Sequence, residues 1–109
     1  MATKANLVID QGTSYSTNID ILDEYDIAID LTNYTCAAQI RKHYTSSNAI
    51  SFSVNLGGAD GTVILSLTAN ATANMAAGRY VYDVELTSDT GVVSRVLEGV
   101  VIVTPNVTR

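Results

Sequence analysis

The chain has 109 residues, 47% of them hydrophobic and 16% charged, with eleven acidic residues against six basic ones and a net charge of -5. A length this close to the usual domain size points to a single domain over residues 1–109 with a core of its own, and the composition excludes a disordered chain. The acidic balance, with no basic stripe, excludes nucleic acid as the main partner, because a polyanion would be repelled.

Near the N-terminus, Leu7, Val8 and Ile9 make an apolar run too short for a signal-peptide core or a spanning helix, so no membrane partner is expected. Residues 15–22, with Ile19 and Ile21 in phase, and residues 27–31 read as further short strands, separated by polar and acidic residues. Residues 34–42 put Tyr34, Cys36, Ala38 and Ile40 on one face and Thr35, Ala37, Gln39 and Arg41 on the other, the pattern of a central strand. Over residues 49–56, Ile50, Phe52, Val54 and Leu56 alternate with Ser51, Ser53 and Asn55. The Gly-rich segment 57–61 turns the chain into a strand carrying Val63, Leu65 and Leu67, which completes a hairpin.

The alternation stops at residues 69–77, where Ala69, Ala71, Ala73, Ala76 and Ala77 favour a short helix or helical turn with Gly78 as its stop. Residues 79–88 then place Tyr80, Tyr82, Val84 and Leu86 on one face, and Asp89-Thr90-Gly91 folds the chain back into a β-branched run over 92–103. Gly99 inside that run marks a bulge or a close backbone approach, and Pro105 ends the pairing. Strands this short and regular predict an all-β, immunoglobulin-like antiparallel sandwich. The Cys–Trp–Cys core of true immunoglobulins is absent, so the likeness is architectural.

Catalytic residues are not expected. His43 is the sole histidine and sits among Arg41, Lys42 and Tyr44, as at a solvated strand end. Cys36 shares a face with Tyr34 and Ile40, which makes it a small core residue; alone it excludes an internal disulfide, and with one histidine it cannot build a zinc site. The acidic residues Asp20, Asp23, Glu24, Asp26 and Asp30 lack the spacing of a calcium loop and read as a solvated turn that keeps an edge from aggregating. Gly57, Gly58 and Gly61 are followed by neither Lys-Ser/Thr nor a helix, so they form a turn and hold no phosphate. No cofactor or metal is therefore expected. Three N-x-T triplets, at Asn33, Asn70 and Asn106, follow from an Asn- and Thr-rich composition. Without tryptophan, a sugar platform would depend on tyrosines, of which Tyr25 and Tyr44 fall outside the core-facing patterns.

Several segments carry a resemblance: Ile29-Asp30-Leu31-Thr32-Asn33-Tyr34 through Ala38-Gln39-Ile40-Arg41-Lys42, Leu67-Thr68-Ala69, Ala77-Gly78-Arg79-Tyr80-Val81-Tyr82-Asp83-Val84-Glu85-Leu86, and Arg95-Val96-Leu97-Glu98-Gly99 with Val103-Thr104-Pro105. With these the chain resembles small virion proteins of tailed phages, many from myoviruses of marine cyanobacteria, and is similar to the N-terminal domain of phage baseplate upper proteins. The resemblance implies an immunoglobulin-like sandwich in a tail, baseplate or other appendage, made in the host cytoplasm and carried in the virion. Its motifs are structural, so it implies no catalytic, cofactor-binding or metal-binding residues. The sequence departs from a baseplate upper protein in ending soon after Pro105, without a receptor-carrying region.

The expected role is a non-enzymatic structural component that docks on other virion proteins through sheet faces, edge strands or termini, with the edge beside Leu7, Val8 and Ile9 open to a further strand. Capsid decoration, or host-surface and glycan binding, is the alternative. Monomer, ring and trimer are all compatible with the sequence, a homo-oligomer included.

Overall fold

A computed structural model describes residues 3–22, 25, 27–57 and 61–107. Among them the chain forms β1 (Thr3–Lys4), β2 (Leu7–Asp10), β3 (Tyr15–Asp20), β4 (Thr35–Arg41), β5 (Ile50–Ser51), β6 (Ser53–Leu56), β7 (Thr62–Leu67), α1 (Ala69–Ala73), β8 (Gly78–Thr87) and β9 (Val93–Thr104). Two sheets result. One runs in the order β1-β9-β8-β4-β5, with β2 extending β1 along β9, and the other runs β3-β7-β6. This is the all-β, immunoglobulin-like sandwich that the alternating segments predict.

The sandwich is held by the faces that alternation makes apolar. Tyr80, Tyr82, Val84 and Leu86 from β8, Ile40 and Ala38 from β4, and Val101 and Val103 from β9 meet Val63, Leu65 and Leu67 from β7 in one buried cluster. Each fully buried aliphatic side chain contributes roughly 1.5–3 kcal/mol relative to exposure. At the start of β8 the Tyr80 hydroxyl donates to the Ala76 carbonyl at 2.7 Å. That contact has the geometry of the tyrosine corner of immunoglobulin-like domains. Two residues on, the ring of Tyr82 meets Phe52 edge to face, with centroids 6.4 Å apart, and fills the middle of the core.

Four details differ from the alternation read alone. Residues 49–56 are not one strand: β5 pairs with β4 in the larger sheet, β6 pairs with β7 in the smaller, and buried Phe52 lies at the crossing, its N–H donating to the Ala38 carbonyl at 3.0 Å. Residues 27–31 form no strand. There the Asp30 carboxylate accepts from the Thr32 N–H at 3.0 Å and from its hydroxyl at 2.6 Å, and this local turn competes with sheet pairing. Only the bridge between Leu22 and Ala28 remains, while Leu31 drops into the core. The helix is shorter than 69–77, since Asn74 caps it, and Gly78 begins β8 instead of stopping the helix. Finally, not every pair is antiparallel: β1 and β2 run parallel to β9.

Gly99 is a close approach. A Cβ there would lie 2.0 Å from the Ala5 carbonyl oxygen, so β1 and β2 can lie against β9 only because residue 99 has no side chain. The bulge of the hairpin lies elsewhere: Val84 faces Leu97 and Glu85 faces Arg95, which leaves Val96 as the extra residue. At the hairpin tip, Gly91 takes φ +89° and its N–H donates to the Ser88 carbonyl at 3.0 Å, as the Asp89-Thr90-Gly91 signature predicts.

Candidate functional site

Strand β4 of the larger sheet separates the two residues with nucleophile or acid–base chemistry. Cys36 lies near its start and His43 lies two residues beyond its end, so β4 alone holds them about 17 Å apart. His43 is exposed, and its backbone N–H donates to Ser46 Oγ at 3.0 Å. Cys36 is half-buried, and burial pushes its thiol up to about 11. It is the thiolate that attacks, so this thiol is a poor nucleophile near neutral pH.

The Tyr82 hydroxyl is likewise pushed up to about 12, first by burial and then by repulsion from Tyr15. It donates to the Ala5 carbonyl at 2.7 Å, a bond that ties β8 to the first strands. In both Cys36 and Tyr82 the folded state favours the protonated form. Their stabilisation is therefore complete below the ordinary values of 9.0 and 10.0, and it is lost as pH climbs through about 11 and 12. The melting temperature is expected to fall between pH 9 and pH 12, with iodoacetamide labelling of Cys36 accelerating over the same range. A flat melting temperature there, or fast labelling at neutral pH, would contradict this.

On the outer face of the larger sheet, Arg41, Asp83, Glu85, Arg95 and Glu98 line an open groove with Tyr44 at its rim. Asp83 and Glu98 are ladder partners, and Arg95 bridges them, with Nε 3.4 Å from Asp83 and Nη1 3.3 Å from Glu98. The carboxylates are thus a neighbouring pair tied to one guanidinium on an open face, without the apolar enclosure that keeps an acid protonated for catalysis. Among the described residues no group of His, Cys, Asp and Glu is placed to hold a metal ion. Asp23, Glu24 and Asp26 of the acidic stretch lie outside the described residues. Asp20 and Asp30 are exposed, and hydrogen bonds from the Thr32 side chain and then its backbone lower the Asp30 carboxyl below its ordinary value.

Tyr25 and Tyr44 are 75% and 83% exposed, as their positions outside the alternation predict. They stand at opposite ends of the sandwich, since Tyr25 follows β3 and Tyr44 follows β4, whose directions place those connections apart. They do not form one stacking platform.

The uncovered surfaces are the edges. Among the described residues β3 pairs with β7 on one side only, and along its six residues Asp20 is the one charge. The outer side of β2 is the corresponding edge of the larger sheet, next to exposed Val8 and Ile102. On the far side of β4, β5 covers only Gln39 and Ile40. The edge beside Leu7, Val8 and Ile9 is the one expected from the sequence, whereas alternation does not reveal the edge of β3, because it names the face of each residue and not the neighbour of each strand.

No protein-family model and no characterised protein sequence matches this chain. Among solved structures it is similar to part of the internalin-like protein lmo2027 of Listeria monocytogenes, at 13% identity and a TM-score of 0.47 over 96% of this chain and 28% of that one. It is also similar to part of a family 123 glycoside hydrolase from Clostridium perfringens, at 12% identity and a TM-score of 0.44 over 97% of this chain and 24% of that one. The chain thus spans 28% and 24% of the lengths of these two proteins.

Proposed function

We propose that this chain is a non-enzymatic structural component of a tailed-phage virion, in a tail, baseplate or appendage, where it docks on other virion proteins. The reading starts from the resemblance of residues 29–42, 77–86 and 95–105 to small phage virion proteins. The observation that carries it further is the uncovered edge of β3, six residues whose outer backbone groups have no partner strand among the described residues. An edge of that length is a template for a strand from a neighbouring protein, and main-chain hydrogen bonds would supply the affinity.

The surface chemistry supports docking over catalysis. His43 and Cys36 stand apart, the thiol is protonated at neutral pH, and the carboxylates of the outer face are ion-paired in an open groove. Mass spectrometry of purified virions is expected to find the protein in stoichiometric amounts. Its absence from intact particles, with recovery only from the lysate, would overturn the reading.

A further inference from the structure

The long axis of the molecule measures 43 Å, against 27 and 21 Å across. It follows the strands, since the twelve residues of β9 span about 40 Å. Strand directions sort the connections into two ends. One end gathers those after β3, β6 and β8, and there Asp20, Asp30 and Asp89 are all exposed. Arg95, on the adjoining stretch of β9, is already held by Asp83 and Glu98. Apolar side chains stand among these acids, with Leu22 48% and Val92 62% exposed.

The opposite end gathers the close of β2, β4 and β9 and the start of β8. It is basic. Lys42 and Arg79 are exposed, Arg41 is half-buried, and the acid at this end, Asp10, accepts a hydrogen bond from the Thr104 hydroxyl at 2.8 Å. Lys42, Arg79, Tyr44 and Tyr80 line an open groove there, with Lys42 Nζ 4.7 Å from the centre of the Tyr80 ring.

We infer that copies of this chain associate head to tail along the long axis, the acidic end of one copy, with Leu22 and Val92, seated in the basic groove of the next. Each end carries the charge that the other lacks, so the occupant that fits both is a second copy. Such a contact uses two different surfaces of the same chain and leaves a free end on each side, so it propagates as a ring or a filament with a repeat of about 43 Å. The net charge of -5 opposes association at long range. At about 0.15 M salt, however, repulsion fades beyond about 8 Å, while the two ends act at contact, so the local pairing prevails. The inference stands on charge placement and does not rest on the virion reading.

Sedimentation velocity on the full chain at up to about 1 mM tests it. The wild type is expected to grow in size with concentration at about 0.15 M salt and to weaken at least about tenfold at about 1 M salt. Lys42→Glu/Arg79→Glu turns the basic end acidic, and Asp20→Lys/Asp30→Lys/Asp89→Lys reverses the exposed acids described at the other end. Each variant alone is expected to be monomeric, and a one-to-one mixture of the two is expected to associate again. Circular dichroism melts matching the wild type establish that both variants are folded. A wild type that stays monomeric throughout overturns the inference, as does a mixture that stays monomeric, or a variant that self-associates like the wild type. Binding of a polyanion at Lys42 and Arg79 by a chain that never self-associates overturns it too.

Discussion

Gly99→Ala is expected to destabilise the fold by about 3 kcal/mol, because one methyl group would have to occupy the space of the Ala5 carbonyl. The added Cβ would lie 2.0 Å from that oxygen and 2.8 Å from its carbon, both backbone atoms that no rotamer change can move aside. Relief requires β1 and β2 to lift from β9. That movement breaks the bond from the Ala5 N–H to the Glu98 carbonyl, now 2.9 Å, and the Tyr82–Ala5 bond that anchors the same carbonyl. For a domain of this size the melting temperature should drop by roughly 12–24 °C, read by circular dichroism. Gly91→Ala separates steric from conformational cost, since its Cβ meets nothing within 4 Å but φ is +89°. A Gly99→Ala protein that melts within a few degrees of the wild type would refute the close approach.

Leu65→Ala should cost about 2–5 kcal/mol, the range for emptying a buried leucine site. Leu65 is fully buried at the middle of β7, the central strand of the smaller sheet, opposite Thr17 of β3 and Val54 of β6. Strands on both sides limit how far the site can collapse, which favours the upper part of that range. Ile64→Ala, one residue away on the other face and only half-buried, should cost clearly less in the same urea titration. Equal costs for the two would mean that the faces of β7 are assigned wrongly.

How much of this was legible in the sequence depends on what alternation encodes. Where period two persists over six or more residues, as in Val63-Leu65-Leu67 and Tyr80-Tyr82-Val84-Leu86, it identified both the strand and its buried face. It could not say that Ile50 and Val54 belong to different sheets, because a strand that crosses between sheets keeps its alternation while changing partners. Ile27, Ile29 and Leu31 alternate just as well, yet the Asp30–Thr32 hydrogen bonds turn the chain there. A competition between side chain and backbone leaves no periodic mark. The same limit governs the surface. Exposure of Tyr25 and Tyr44 could be read from their places outside the strands, but the gathering of Lys42 with Arg79, and of Asp20 with Asp89, follows from strand directions fixed by pairings far apart in the chain.

The parallel pairing of the first strands with the last has a mechanical corollary. β1 and β2 advance beside β9 in one direction, from Thr3 opposite Leu97 to Asp10 opposite Thr104. Tension applied between Thr3 and Thr104 therefore pulls the two sides of this ladder past each other along their length. The load falls on all of its hydrogen bonds together, with the Tyr82–Ala5 and Thr104–Asp10 bonds set across the same seam as cross-ties, whereas a hairpin pulled at its open end would peel one rung at a time.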